Sequence, residues 1–503
     1  MSLSRNLVAA TASSAWTALV GLAVVPIYLK YIGIGAYGLV GFLATLQSLF
    51  SLLDFGLSTA INRETARYAA AGQLGQSADL LHTLAIIYWG AAASIGVCIS
   101  LAAPFIAGYW LQTEHLSHEN VSQSVMMMGF IIACRWPIGL YQGALMGAQQ
   151  LVITSGINIA MATLGSVGAV IILAFISPTV QALFLWQAGV GLLYALTIRW
   201  AAWRTIGRKG TGFDIAKLRH IWRFSIGISA ITITALIFMQ LDKIILSRTL
   251  KLEDFGRYML ATNIAGALYM LIMPVYNVVY PRFSGLVSVG EDDKLAILYR
   301  TGTRVLSAVL FPIATILAIF SKNLVIIWTG NTNLAVEVAP LISLLAIGSA
   351  LHGVMFFPYA VQLAYGKTKL PVQINTLLVI IQAPLVVILS LSYGALGGAV
   401  SWLILHILYV LLGSWITHHN LLKDIGQKWL FTDVGIPLIL SALTGYFEYY
   451  ISNLAGLSTH IKLFYGVITG LFTILCAFVI FPDMRSMLHA ILQPRTAKVT
   501  TSR

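Results

Sequence analysis

Arg135 and Lys243 are basic residues that fall inside long apolar runs, and Asp54, Asp242 and Glu448 are carboxylates placed likewise. A charged side chain at the middle of a lipid-facing helix costs about 2.5–3.5 kcal/mol on insertion scales. Each is therefore expected to face a protein interior or a wet cavity. Two kinds of chemistry suit them: a guanidinium or ammonium holds an anion, and a buried carboxylate of raised pKa carries a proton, or alternatively binds sodium. The competing reading for each is a structural pair.

Arg135 is the sharpest case. Pro137 follows it and should disturb the helix near the Ala133 carbonyl. Gly139, Gly143 and Gly147, each four apart, then form a small-residue ridge that permits close helix approach. Arg135 lies on or near that face, either as an anion contact or paired with a carboxylate such as Asp54. Asp242 and Lys243 are neighbours, and adjacent helical residues point about 100° apart, so they are not an obvious ion pair. Lys243 is expected to snorkel toward the interface, and Asp242 to make a helix-end contact or an ion site. Arg63, Arg282 and Arg304 lie at one end of their apolar segments. They ring a mouth that attracts anions over a Debye length of about 8 Å, or they set topology and bind anionic lipid. His352 and His406 read as satisfied core histidines. Gln47, Asn62, Asn158, Asn263, Asn277 and Asn375 are placed to hydrogen-bond a polar ligand or a neighbouring helix. Glu114, His115, His118 and Glu119 are too loosely spaced for a metal site, and Cys98, Cys134 and Cys476 lie in apolar runs with no disulfide or metal spacing. No cofactor motif is present.

The elements that position these residues follow from composition. Of 503 residues, 58% are hydrophobic and 9% charged, against about 25% charged in a soluble domain. Lipid must be the solvent for most of the chain. Only helices satisfy their own backbone in lipid without closing a barrel, so the expected class is an all-α polytopic membrane protein. Fourteen spans are expected, at roughly 8–29, 37–61, 80–107, 121–146, 151–176, 180–200, 221–246, 256–280, 303–321, 335–364, 371–392, 396–417, 431–451 and 461–482. The first is read as an uncleaved span. The net charge of +13 is explained by Lys and Arg collecting on the cytoplasmic side rather than by nucleic acid. With both termini cytoplasmic, most of the basic residues fall inside, including seven between Arg199 and Arg223. Tyr109, Trp110, Trp328, Trp429, Tyr449 and Tyr450 are expected at membrane interfaces.

A weak internal repeat is present. Tyr37-Gly38 aligns with Phe255-Gly256, and Gly147 and Leu151 align with Gly366 and Leu370, at offsets of 218 and 219 residues. Six spans separate each pair, so the two copies share an orientation. The expected domains are a six-helix bundle at 1–200, a basic cytoplasmic linker at 201–220, a second six-helix bundle at 221–418, two additional helices at 419–482 and a cytoplasmic tail at 483–503.

At these motifs the chain resembles the polysaccharide-exporter branch, the Wzx-type flippases, of the multidrug/oligosaccharidyl-lipid/polysaccharide exporter superfamily. The resemblance rests on Leu29 to Leu39 with Leu53-Asp54-Phe55-Gly56-Leu57 and Arg63-Glu64. It continues through Gln240 to Ser247, Phe255-Gly256-Arg257-Tyr258 and Tyr280-Pro281-Arg282-Phe283, and then Gly366-Lys367-Thr368-Lys369 and Tyr393 to Ala399. Phe255 stands where the family usually has Tyr. The resemblance implies a transporter, not an enzyme. Its two pseudo-symmetric bundles would enclose a cavity open to one side at a time, in a bacterial inner membrane. The implied cargo is oligosaccharide on undecaprenyl pyrophosphate, moved at the expense of a proton or sodium gradient, with a polysaccharide polymerase and a chain-length regulator as partners. Arg135, Arg63, Arg282, Arg304 and Lys243 are then the candidate headgroup contacts, and Asp54, Asp242 and Glu448 the candidate coupling groups. Weighed against this are a multidrug exporter or a peptidoglycan-precursor flippase of the same superfamily. A polymerase or ligase is also weighed, although such enzymes carry a large loop that this sequence lacks.

Overall fold

The computed structural model describes residues 3–485 apart from 115, 208–211 and 424. Among these residues the chain is α-helical with no strand. The helices are α1 (Leu3–Phe50), α2 (Leu57–Ala70), α3 (Ala78–Phe105), α4 (His118–Arg135), α5 (Ile138–Gly147), α6 (Leu151–Phe175), α7 (Val180–Ile206), α8 (Ile215–Thr249), α9 (Leu252–Gly266), α10 (Tyr269–Ser288), α11 (Asp292–Ile319), α12 (Ser321–Thr329), α13 (Thr332–Val354), α14 (Phe356–Ala364), α15 (Lys369–Leu408), α16 (Ser414–Leu421), α17 (Gly426–Lys428), α18 (Ile436–Leu454) and α19 (Thr459–Ile480). Among the described residues, eleven helical stretches are long and apolar enough to cross a membrane, or up to twelve if α9 and α10 count as one bent span. The protein is a multi-pass membrane protein. Phe175, Leu101 and Leu454 are among many large apolar side chains on its outside, as expected where the surroundings are hydrocarbon.

Two stretches are too long for one crossing. Val8–Asp54 and Lys369–Leu421 run 47 and 53 residues, where about 20 suffice. Each holds one glycine outside helical geometry, Gly33 at φ +75° and Gly394 at φ +59°. Only glycine takes that backbone without strain. Both breaks fall in the gaps the sequence places between consecutive spans, after residue 29 and after residue 392.

The chain divides into two compact units, Met1–Asn263 with Val372–Ser401, and Ile264–Pro371 with Trp402–Arg503. In the first, α1 packs on α6, α3 on α4, α2 on α5, and α4 on α7. Lipid gives no hydrophobic drive between helices, so close approach at small residues carries much of the packing. Gly143 and Gly147 of α5 show it: a Cβ on either would lie 2.4 Å from a backbone oxygen of α2, Ser58 O and Asn62 O respectively. In the second unit, α11 is central and packs on α10, α13, α18 and α19.

Trp429 departs from expectation. It is fully buried, its Nε1–H donates to Thr303 Oγ1 at 3.0 Å, and its ring stacks on Tyr299. A fully buried indole needs a partner for its N–H inside the protein; Trp429 has one, and its ring faces protein rather than the membrane interface.

Candidate functional site

α4 ends at Arg135, and α5 begins at Ile138 after Pro137. The break falls where the proline removes a backbone donor and clashes with the preceding turn. It leaves Arg135 half-buried beside α7. Arg135 Nη2 donates to Gln187 Oε1, and the Gln187 amide donates in turn to Gly165 O at 3.4 Å. Gly191, one turn along α7, makes the space: its Cβ would meet Arg135 Cγ at 3.1 Å. Among the described residues no carboxylate lies within ion-pair distance of Arg135.

Seven residues on from Arg135 along the chain and from Gln187 along α7, the pattern continues. Gln142 Nε2 donates to Tyr194 OH at 2.7 Å and to Asn158 Oδ1 at 3.1 Å, and the Tyr194 hydroxyl donates to the same Asn158 oxygen. Arg135, Gln142, Asn158, Gln187 and Tyr194 thus form a half-buried polar strip over α4, α5, α6 and α7. It is rich in amides and hydroxyls and carries one guanidinium. Such a surface suits a hydroxylated, anionic ligand. Asn158 was visible in the sequence as a candidate. Gln142, Gln187 and Tyr194 were not, although a spacing of seven, which keeps 187 with 194 on one face of α7, was available as a signal.

Asp54 is committed elsewhere. Its Oδ1 accepts from the Tyr88 hydroxyl, and its Oδ2 accepts from Ser58 Oγ at 2.8 Å and Ser58 N at 3.3 Å, so it caps the first turn of α2. The structure does not pair it with Arg135.

Asp242 and Lys243 differ from expectation. Both are buried, with Lys243 Nζ 3.1 Å from Asp242 Oδ1. The lysine does not reach for an interface. Its flexible stem curls back, so that Nζ also donates to Met239 O at 2.8 Å. That fold lets side chains that leave the helix about 100° apart meet at their tips. Tyr258 OH completes the group, donating to Asp242 Oδ2 at 2.6 Å.

Beside this group the two copies of the sequence repeat meet. A Cβ on Gly256 would lie 2.3 Å from Ile34 O, and one on Gly38 would lie 2.4 Å from Leu252 O. Tyr37 OH accepts from Asn263 Nδ2 at 2.6 Å. At the start of α9 the loop between α3 and α4 adds a backbone contact, Leu252 N to Gln112 O at 2.8 Å, and an ion pair, Lys251 Nζ to Glu114 Oε1 at 2.5 Å. His115 lies outside the described residues.

The remaining candidates are scattered. Arg63 is half-exposed and pairs with Glu64 at 3.3 Å. Arg282 is exposed on α10. Arg304 sits between Asp433 at 2.6 Å and Asp483 at 2.9 Å, and Arg300 reaches Asp433 at 2.8 Å, which ties α11 to the segment before α18 and the segment after α19. Glu448 of α18 accepts from Thr469 Oγ1 at 3.1 Å. His352 and His406 are not isolated: their rings lie 4.9 Å apart, and His406 Nδ1 donates to Trp402 O at 2.8 Å.

Comparison with known proteins agrees with this architecture. The chain is 21% identical over 312 residues, 61% of its length and 72% of the other's, to a putative O-antigen transporter of Shigella flexneri. It is 23% identical over 243 residues, 48% of each chain, to the lipopolysaccharide biosynthesis protein WzxC of Escherichia coli K12. Among solved structures it is similar to the lipid II flippase MurJ in an inward closed conformation, with a TM-score of 0.71 and 13% identity, covering 95% of this chain and 99% of that one. An inward-facing MATE multidrug transporter of the MOP superfamily gives a TM-score of 0.65 and 13% identity, covering 80% and 95%. These likenesses show that the chain has the fold of these solved proteins. Residues 3–287 match the family described as polysaccharide biosynthesis protein, and on that match, more than half its length, the chain belongs to this family.

Proposed function

We propose that this protein flips oligosaccharide carried on undecaprenyl pyrophosphate across a bacterial inner membrane by alternating access. In this reading it makes fourteen crossings, with both termini cytoplasmic. Two six-helix bundles, 1–200 and 221–418, exchange access around the cargo, the helices at 419–482 are additions, and 201–220 and 483–503 face the cytoplasm. It is a transporter and breaks no bond.

The observation that carries this reading is the environment of Arg135: an intramembrane guanidinium held by an amide rather than a carboxylate, on a strip of sugar-compatible hydrogen-bonding groups. A cation neutralised by a carboxylate has little left for a pyrophosphate; one held by a neutral amide keeps its charge for the ligand. Arg282 gathers the anion at the cytoplasmic face. Arg63, Lys243 and Arg304, already ion-paired, act on the cargo only if those pairs open during transport. Asp54, Asp242 and Glu448 are the groups through which a proton or sodium gradient would act. A polymerase and a chain-length regulator receive the product.

The test is complementation of a strain lacking its lipid-linked oligosaccharide flippase, scored by periplasmic arrival of the repeat unit. Rescue by the parent chain and loss of rescue in a folded Arg135→Ala variant are expected. Rescue of a strain lacking its peptidoglycan-precursor flippase instead would replace the cargo. Wild-type transport and headgroup binding by Arg135→Ala would remove the role given to the arginine.

A further inference from the structure

The first unit contains a cavity of about 840 Å³, set apart from the Arg135 strip, between α3, α5 and α7. Its described walls come from two helical stripes. His82, Ala85, Ile86 and Trp89 lie on one face of α3 at the i, i+3, i+4, i+7 spacing. Leu196, Arg199, Trp200, Trp203 and Arg204 lie on one face of α7, Gly207 follows its end, and Tyr141 closes the inner end from α5.

The lining has a definite chemistry. Two guanidiniums and an imidazole meet three indoles and aliphatic side chains, with no carboxylate among the described lining residues. Among the described residues neither Arg199 nor Arg204 has an ion-pair partner within 4 Å. The Arg204 guanidinium instead lies over the Trp200 ring, 5.1 Å from its centroid, which holds it without neutralising it. Trp203 meets His82 edge to face at 6.4 Å, and Trp89 Nε1 donates to Tyr141 OH at 3.0 Å, so the aromatic walls are fixed. A cationic ligand is repelled by such a site, and a fully apolar one leaves two charges unmatched. A phosphate fits the guanidinium fork, and indoles flanking it suit the junction between headgroup and acyl chain.

We infer that this cavity binds the phosphate headgroup of an acidic phospholipid from the surrounding bilayer, with Arg199 and Arg204 on the phosphate and Ile86, Trp89 and Leu196 along the first acyl carbons. The site is separate from the cargo strip, and the inference does not depend on what the protein transports.

The test uses the full chain purified in detergent and titrated with phosphatidylglycerol or phosphatidylcholine, with bound lipid counted by native mass spectrometry. Selective retention of one phosphatidylglycerol per chain is expected. In Arg199→Gln/Arg204→Gln, binding should weaken about tenfold or more, as fits the loss of two charge-assisted contacts. Arg199→Lys/Arg204→Lys should recover part of it. Equal retention of the two lipids by the parent chain overturns the inference without any variant, as does a folded Gln variant that binds phosphatidylglycerol like the parent. A second measurement, needing no variant, is photo-crosslinking with a diazirine on the proximal acyl carbons of phosphatidylglycerol. Labelled peptides from α3 and α7 support the site, and labelling confined to other helices overturns it. Titration with inorganic phosphate distinguishes a free anion from a lipid. Displacement of phosphatidylglycerol at comparable concentration would show that the site reads the anion alone and overturn the lipid assignment.

Discussion

Arg135 and Lys243 are both cations placed in the hydrocarbon layer, and they are held in opposite ways. Lys243 is buried with its counter-charge Asp242, and Tyr258 and the Met239 carbonyl satisfy what remains. Arg135 is half-buried and held by the amide of Gln187. The first is a closed electrostatic unit in which every strong group has a protein partner. The second has donors to spare and, among the described residues, no counter-charge within ion-pair distance. An intramembrane charge is thus not by itself a binding site; the neutrality of its partners separates the two.

The largest effect should come from opening the closed unit. Asp242→Asn leaves Lys243 buried without its counter-charge, a change that costs about 3–5 kcal/mol when one partner of a buried pair is removed. A clear fall in the detergent unfolding midpoint is expected. Asp242→Asn/Lys243→Met should restore most of it, because replacing the whole pair by apolar groups is often neutral or better. If the single and double variants melt alike, the pair is not the unit described here.

Arg135→Met should do the reverse, leaving the melting point within a few degrees while transport falls. Losing hydrogen bonds to a charged group is worth about 1.5–3 kcal/mol, or roughly ten- to a hundredfold in cargo binding. Arg135→Lys should fall between, since it keeps the charge and loses the planar fork. The comparison fails if Arg135→Met destabilises as much as Asp242→Asn, which would make both residues structural.

Most of the architecture was legible because its signals are long. Apolar runs of twenty residues cannot be hidden, and Gly33 and Gly394 break their helices within the gaps read from the sequence. Arg135 was legible because a lone guanidinium in an apolar run has few explanations. Its partners were not. Gln187 and Tyr194 are ordinary helical residues until the packing of α4 and α5 on α7 brings them to Arg135 and Gln142. Lys243 was misjudged because backbone direction was taken for the whole side chain, while a four-carbon stem can turn its tip back by a full turn. Trp429 was misjudged because its hydrogen-bond partner, Thr303, is 126 residues away.

The meeting of the two repeat copies offers a smaller effect of a different kind. A Cβ on Gly256 would lie 2.3 Å from the Ile34 carbonyl, a rigid backbone atom that cannot turn aside. Overpacking typically costs about 1–3 kcal/mol. Gly256→Ala should therefore lower stability by that order and weaken the α1–α9 crossing. This is read as faster labelling by thiol reagents of a cysteine placed at Leu252. Gly285→Ala, on α10 with open space around the added carbon, is the control and should change neither readout. Equal effects at the two sites would mean the crossing is looser than its distances imply.

The smallest effect is a pH dependence at the Arg304 network. Burial pushes the Asp483 carboxyl up, but the hydrogen bond from Thr301 and the charge of Arg304 outweigh it and hold the group below its ordinary value. A carboxyl depressed in the folded state contributes stability that is fully present above its unfolded pKa, and loses it as pH falls through the folded one. Because Asp483 is partly exposed, the contribution should be under about 1 kcal/mol after solvent screening. The melting point of the parent should therefore decline slightly more than that of Asp483→Asn between pH 6 and pH 3, and the two curves should converge at the acidic end. Asp433, fully buried between Arg300 and Arg304, makes the contrast: Asp433→Asn leaves those arginines without a shared partner and should lower the melting point by more than Asp483→Asn at neutral pH. Should the two variants be equivalent there, the network depends on exposed Asp483 as much as on buried Asp433, and burial of the counter-charge would lose its standing as the property that marks a structural cation in this protein.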